Sequence, residues 1–314
     1  MPKSIHFRHL DLNLLVALDA LLLERNITLA GKRVNLTQSA MSGALARLRE
    51  YFGDELLIQI GRKMIPTPLG ESLAAPVKKV LLEIRATVAA QPTFDPGTAH
   101  RTFRLMMSDY VSTVLMSAAL PTIERLAPHV RIEILSNDVD SPFDELDHAH
   151  IDLLIMPQRY LNEDHPYEVL FEDEFTGIAW LDNPLIPTDG HLSLEAYMSL
   201  GHVTSRFASA RAGTVDEWFF NQLGHKRNVE VTTMNFTSVF SCVLRTKRVA
   251  TIHRRLAAYF AQFLPIRMFD APFEVPPLAE AVQWHRQFGS DPGLRWLREV
   301  LNGAARNMPS ESLS

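Results

Sequence analysis

The chain has 314 residues, 31 Lys/Arg against 36 Asp/Glu, a formal charge of −5 and one cysteine, Cys242. Such a length predicts two or three folding units with a sizeable core, and a lone cysteine excludes a disulfide framework and any Cys-based metal site. Residues 1–90 hold twelve Lys/Arg and eight Asp/Glu, a balance of +4, so the remaining 224 carry −9; a small basic module tied to a larger acidic one is expected when only the first meets phosphate.

The opening stretch MPKSIHFRHLDLNLL has no basic region followed by a small-residue cleavage site, and no apolar run reaches membrane-spanning length. The expectation is a cytoplasmic chain with no membrane partner. A first helix is predicted from N-cap Asp11 to Arg25, with Leu14, Leu15, Leu18, Leu21 and Leu22 on one stripe. Residues 28–53, TLAGKRVNLTQSAMSGALARLREYFG, then read as two short helices joined by a tight turn at Asn35 to Thr37. Thr28 is the expected cap of the first, which turns Ala30, Gly31 and Val34 inward, and Thr37 of the second.

Beyond Thr37, the spacing turns Ala40, Met41, Leu45 and Leu48 inward and Gln38, Ser39, Ser42 and Arg47 outward. Short hydrogen-bonding side chains at a helix start suit approach to base edges and phosphates, which is the composition of a recognition helix. The candidate DNA contacts are Thr37, Gln38, Ser39, Ser42 and Arg47, with Arg33 from the preceding helix. Residues 56–67 read as a hairpin wing whose tip, Gly61, Arg62 and Lys63, carries two positive charges; Arg62 and Lys63 join the candidates.

From Pro68 to about residue 88 a long helix is expected, with Leu69, Leu73, Val77, Val80 or Leu81, Ile84 and Val88 on a narrow seam, and Pro76 inside it. That seam is read as a dimerisation surface in preference to a face packed on its own chain. Residues 89–100, AAQPTFDPGTAH, are the hinge.

Past the hinge, strands and helices alternate to the end, including a long β stretch at 169–180, a helix at 214–223 and a last helix at 292–302. Alternation predicts parallel α/β sheets, and the number of units predicts two lobes joined by crossing strands. Lobe I is expected at about 101–170 and 272–314, lobe II at about 171–271, with a ligand between them. The fold class is therefore α+β overall: an N-terminal winged helix-turn-helix at 1–67, a linker helix at 68–88, and a two-lobed α/β effector domain at 101–314 like periplasmic binding proteins.

The segments LDLNLL (10–15), TLAGKRVNLTQSAMS (28–42), RLREYFGDELL (47–57), GRKMIPTPLGE (61–71), DPGTAHRTFRLMMSD (95–109) and SDPGLRWLREVL (290–301) resemble those of LysR-type transcriptional regulators, in the family's order and spacing. Further likeness in LEAYMSLGHV, DEWFF and EVPPLAEAVQWH points to the branch of nodulation-gene activators and regulators of aromatic or chloroaromatic degradation. The chain departs from the usual pattern at Ser39, where the family has Pro, and at Gln59, where it has Arg.

The resemblance implies a homotetramer, a dimer of dimers, on an inverted-repeat promoter in double-stranded DNA. A small aromatic inducer between the lobes would alter DNA bending and let RNA polymerase engage, with no cofactor. Strand ends and family position together nominate Ser108, Asp109 and Tyr110; His202, Thr204 and Arg206; Asn235, Phe236 and Thr237; His253; and Trp284 with His285 for the effector pocket. An enzyme is the second reading: His148 and His150 form only an HxH without a third ligand at motif spacing, and no phosphate loop or nucleophile elbow occurs. A sensor module without a DNA role is the third, and a repressor is the alternative to an activator.

Overall fold

The computed structural model describes residues 11–60, 63–89, 93–137, 141–187, 190–206, 227–273 and 275–308. The chain divides into two compact units, Met1–Ala90 and Gln91–Ser314.

The first unit is built on three helices, α1 (Leu12–Glu24), α2 (Ile27–Arg33) and α3 (Gln38–Phe52), a hairpin of β1 (Leu57–Ile60) and β2 (Lys63–Pro66), and the long α4 (Pro68–Ala89). Asp11 caps α1 by accepting from the Asn13 amide at 2.9 Å, and Arg25 ends it in the left-handed region at φ 48°. Asn26, and not Thr28, caps α2: its Oδ1 accepts from the amides of Thr28 and Leu29 at 2.9 and 3.0 Å, which leaves Thr28 inside the helix. The turn to α3 passes close to α2. A Cβ on Gly31 would lie 2.8 Å from the Leu36 carbonyl oxygen, so only glycine permits this approach.

Leu18, Leu21, Ala30, Met41, Leu45, Leu48, Leu56 and Leu57 form the buried centre of this unit. Ala40, expected inward, is exposed, because the core-facing row of α3 runs through Met41, Leu45 and Leu48 at three- and four-residue spacing. Part of the α4 seam contributes to this core. Val77 and Leu81 are buried in this same core, with Leu69 and Leu73 packed against it, so these residues close the unit's own interior. Val80 faces away, 41 % exposed.

The second unit holds two five-stranded sheets. The first, in the order β4-β3-β5-β12-β6, comprises β3 (Thr102–Met107), β4 (Arg131–Ser136), β5 (Leu153–Pro157), β6 (Tyr167–Asp173) and β12 (Leu278–Gln283). The second, in the order β11-β7-β10-β8-β9, comprises β7 (Phe175–Trp180), β8 (Gly201–Ser205), β9 (Asn228–Thr233), β10 (Val249–His253) and β11 (Ile266–Phe269). The predicted β stretch at 169–180 breaks at Glu174, where the chain crosses from lobe I to lobe II. Neither sheet is purely parallel: β12 runs antiparallel to β5 and β6, and β7 antiparallel to β10 and β11, because the crossing strands enter from the other lobe.

Helical segments α5 (Asp109–Val111) and α6 (Ser117–Leu126), joined through a π-helical turn at Ser112–Met116, follow β3, and the short α7 (Pro142–Asp147) and α8 (Leu194–Ser199) come later. Then follow α9 (Thr237–Val243), α10 (Arg254–Ala261) and α11 (Pro292–Asn307). Asp291 caps α11 at the amides of Gly293 and Leu294, with Pro292 pre-set for the first turn, and the helix runs five residues beyond its predicted end. The helix predicted at 214–223 lies outside the described residues. One continuous apolar core joins Phe103, Leu105, Tyr110 and Leu115 of lobe I to Ile178, Val203, Phe240 and Ile252 of lobe II.

Candidate nucleic-acid interface and effector junction

On α3 the exposed face comprises Gln38, Ser39, Ala40, Ser42, Gly43, Ala46, Arg47 and Glu50, preceded by exposed Thr37. Thr37 Oγ1 accepts from the Ala40 amide at 3.2 Å and stands 3.0 Å from Ser39 Oγ, which fixes the start of the helix. The first turn offers only uncharged groups, and the positive charge of Arg47 follows two turns later. Such a surface can place small donors and acceptors against base edges while the cation meets backbone phosphate.

Two other arginines of this unit are committed to the fold. Arg33, a candidate phosphate contact by sequence, has Nη1 2.6 Å from Glu24 Oε1, with both side chains only about a fifth exposed at 20 % and 22 %. It ties α2 to the end of α1. Arg49 donates from Nε to the Glu55 carbonyl at 2.9 Å and from Nη2 to the Leu57 carbonyl at 2.8 Å, which locks α3 to the wing.

At the wing's base, Asp54 Oδ1 accepts from the Leu56 amide at 2.7 Å and from Thr67 Oγ1 at 2.6 Å. The Thr67 hydroxyl first, and the Leu56 amide second, hold the Asp54 carboxyl below its ordinary range. Thr67 Oγ1 in turn accepts from the Gly70 amide at 3.0 Å, where a Cβ on Gly70 would strike the Leu56 carbonyl. Gly61 and Arg62 lie outside the described residues. Lys63 opens β2, paired with Ile60 in the register that sets Gln59 opposite Met64.

In the effector unit the structure gathers one group of the nominated residues at the lobe junction. Tyr110, fully buried, stacks on the His253 ring at 3.8 Å and 8°, with Phe236 edge-on to both. The Tyr110 hydroxyl donates to Asp173 Oδ2 at 2.7 Å, and the Asp173 carboxylate also accepts from the amides of Glu174 and Arg255. Asp109 reaches from lobe I to lobe II, accepting from the Phe236 amide at 3.1 Å and the Thr237 amide at 2.7 Å. The return strut is Arg255, whose guanidinium donates to the carbonyls of Met308 and Glu172, each at 3.4 Å.

The electrostatics of this junction follow from dryness. Burial pushes Asp173 up to about 6, against the pull of the Tyr110 hydrogen bond and the Arg255 charge. Burial, with the Asp173 charge second, lifts Glu280 to about 8, so Glu280 is protonated at neutral pH. Burial alone drops His253 to about 3 and keeps its imidazole neutral. Glu280 and Asp173 were absent from the sequence nominations. Leu278, Glu280 and Val282 share one face of β12, an alternation that placed a carboxyl inside; Asp173 stood in an acidic run, FEDE, that reads as solvated.

The other nominated residues are distributed elsewhere. Ser108 caps its own helix by accepting from the Val111 amide at 3.2 Å, and Asn235 Oδ1 accepts from the Ser238 amide at 2.9 Å. His202 is fully buried inside lobe II, with Nε2 donating to the Tyr197 carbonyl at 2.9 Å. Thr204 is buried at the end of β8, and the exposed Arg206 follows it, its amide bound to the Thr233 carbonyl at 2.8 Å. Trp284 and His285 belong to lobe I's interior: Trp284 lies 3.6 Å under the Arg298 guanidinium, and His285 packs 4.5 Å from the His165 ring. A cleft of about 180 Å³ opens between α6, α10 and the end of α11, lined by Ser117, Ala118, Arg255, Tyr259, Gln262 and Met308, none of which was nominated.

The stacked His148 and His150 rings lie 5.5 Å apart, and among the described residues no group of three or more His, Cys, Asp or Glu is arranged to hold a metal ion. Nor, among them, is any helix long and apolar enough to cross a membrane.

Comparison with known proteins gives these two surfaces their setting. Residues 12–71 match the bacterial regulatory helix-turn-helix protein family of lysR type, and residues 96–306 match the LysR substrate binding domain. The chain is 39 % identical over 306 residues to Nodulation protein D 1 of Bradyrhizobium elkanii, covering 98 % of this chain and 96 % of that one. Among solved structures it superimposes on a probable transcriptional regulator from Pseudomonas aeruginosa with a TM-score of 0.64 at 28 % identity, covering 94 % and 97 % of the two chains. CbnR, solved in complex with its target DNA, shares the fold at a TM-score of 0.57 and 12 % identity, over 94 % and 100 %. The polar outer face of α3, the wing beside it and the two-lobed unit after the linker are thus parts of a DNA-binding transcriptional regulator, and the chain belongs to the LysR family.

Proposed function

We propose that this regulator activates transcription when a small aromatic inducer, phenolic, chlorophenolic or flavonoid-like, binds between the lobes of its effector unit. The observation that carries the reading is the near-complete, 39 % likeness to a nodulation protein D, extending through both units. The protein works in the cytoplasm as a homotetramer on an inverted-repeat promoter, with RNA polymerase as its downstream partner. The working division is a DNA-binding domain at 1–67, a linker helix at 68–88, a hinge at 89–100 and an effector domain at 101–314.

For DNA, the assigned residues are Thr37, Gln38, Ser39, Ser42 and Arg47 on α3, with Arg62 and Lys63 on the wing. For the inducer, the exposed Arg206 and the half-buried Asp109, Asn235, Phe236 and Thr237 are the accessible members of the nominated set. Asp109 and Tyr110 hold the junction. An inducer shifts the equilibrium only by binding one arrangement of the assembly better than the other, and the struts at Asp109 and Arg255 are what such a difference acts on.

A thermal-shift screen of phenols, hydroquinones, flavonoids and benzoates tests the reading. A ligand at a hundred times its Kd adds about 2.7 kcal/mol of stability, which raises Tm visibly. No shift with any of these classes at saturating concentration refutes an aromatic inducer.

A further inference from the structure

The middle of α3 holds a glycine that the fold does not require. Gly43 is exposed, is not among the left-handed glycines, and a Cβ built on it meets nothing within 4 Å. A glycine inside a helix weakens it relative to alanine, so the position carries a loss of stability with no return inside the unit.

Its surroundings say where the return lies. Residues three and four apart share a helix face, which sets Gly43 beside Ser39, Ala46 and Arg47, all exposed, with Ser42 next to it. Gln38 and Arg47 stand taller at the two ends of this row, and the row between them is the lowest part of the recognition surface. Two neighbouring members, Gly43 and Ala46, are apolar, and an apolar notch in a major-groove helix complements the one apolar group of the groove floor, the thymine 5-methyl.

We infer that Gly43 is a specificity-determining residue: with Ala46 it forms a notch that seats a thymine methyl, and the absent side chain lets the helix backbone approach that base pair. A methyl at residue 43 fills the notch. It also strengthens the free helix, so stability and DNA affinity move in opposite directions. A loss of affinity caused by misfolding cannot produce that pairing.

The test uses the full chain and a duplex enriched from a randomised pool by the wild-type protein. Gly303 supplies the control, because it too lies inside a helix, α11, with nothing within 4 Å of a built Cβ, but in the effector unit. Gly43→Ala and Gly303→Ala are both expected to raise Tm. Only Gly43→Ala should lose about tenfold in affinity for the enriched duplex, the scale of one apolar group fitted or excluded. Replacing thymines one at a time by uracil, which removes the methyl, should weaken wild-type binding at one step of each half-site by about threefold or more and leave Gly43→Ala indifferent there. Binding of Gly43→Ala within about twofold of wild type overturns the inference, as does equal sensitivity of both proteins to every thymine-to-uracil change. A fall in Tm for Gly43→Ala also overturns it, since the glycine would then serve the fold.

Discussion

On α3, Gln38, Ser39, Ser42 and Arg47 stand in solvent on a helix held by an apolar underside, whereas at the lobe junction Tyr110, Asp173, His253 and Glu280 are buried among hydrophobic side chains. Altering the first set should leave the fold intact and change what is recognised. Altering the second disturbs packing, proton binding and the relation between lobes together. Surface polar groups are cheap to keep and free to meet a partner; buried ones are stable only as a satisfied network.

The largest expected effect breaks the junction outright. Tyr110→Ala removes a buried ring and strands Asp173, and should destabilise the effector unit by about 3–5 kcal/mol, read by chemical denaturation. Tyr110→Phe isolates the hydrogen bond to a carboxylate and should lose about 1.5–3 kcal/mol. Full stability in Tyr110→Phe would mean that the junction is held by packing alone.

Next comes pH. Glu280 gives up its proton near 4.5 when unfolded but keeps it to about 8 when folded, so the native state binds the extra proton and stability falls as pH rises through that window. Asp173 has the same sign between 3.8 and about 6. His253 opposes them: the unfolded ring takes a proton below 6.5 while the folded ring stays neutral to about 3, so its contribution grows as pH rises between those limits. Glu280→Gln should therefore flatten the decline of Tm between about pH 4.5 and 8 and leave the slope above that window unchanged. An unaltered decline across that window would place the proton elsewhere.

Smaller effects sharpen the contrast from the DNA side. Gln38→Ala should lose about 1–3 kcal/mol of discrimination between base pairs at one position, seen in competition binding, with Tm unchanged. Equal loss on every sequence would assign Gln38 to the backbone. Asp109→Ala leaves the amides of Phe236 and Thr237 uncapped and should lower effector-unit stability by about 0.5–2 kcal/mol while altering induction in a reporter strain. Arg47→Ala should weaken all duplexes alike and reduce the salt slope of binding by about one ion.

Much of the fold was legible because it rests on local rules. Asp11 and Thr37 cap the helices they were expected to cap, and the leucine stripe of α1 is the core it predicts. Asn26 was passed over for Thr28, although Asx residues rank at least as high as caps, since the apolar pattern alone does not fix a start to the residue. The α4 seam was ambiguous because three- and four-residue spacing is the same whether the facing helix belongs to this chain or to a second copy.

The sheets were taken as parallel because alternation reports order along the chain. The lobe exchange at Glu174 that reverses β7 and β12 leaves no mark on periodicity. Arg33 is indistinguishable from Arg47 in a sequence, and only the position of Glu24 shows that Arg33 is paired within the fold. The junction was reached through Asp109, Tyr110 and His253, but its carboxyl partners come from segments 63 residues and more away from Tyr110, a separation that no local pattern encodes.

The most direct test of the account is selection of randomised duplexes by the full-length wild-type chain, repeated with Gln38→Ala. The account predicts that the wild type enriches an inverted repeat whose half-sites carry a fixed core, and that the variant enriches the same spacing with one core position altered. No enriched sequence, or an identical core for both proteins, would contradict the claim that the outer face of α3 reads duplex DNA.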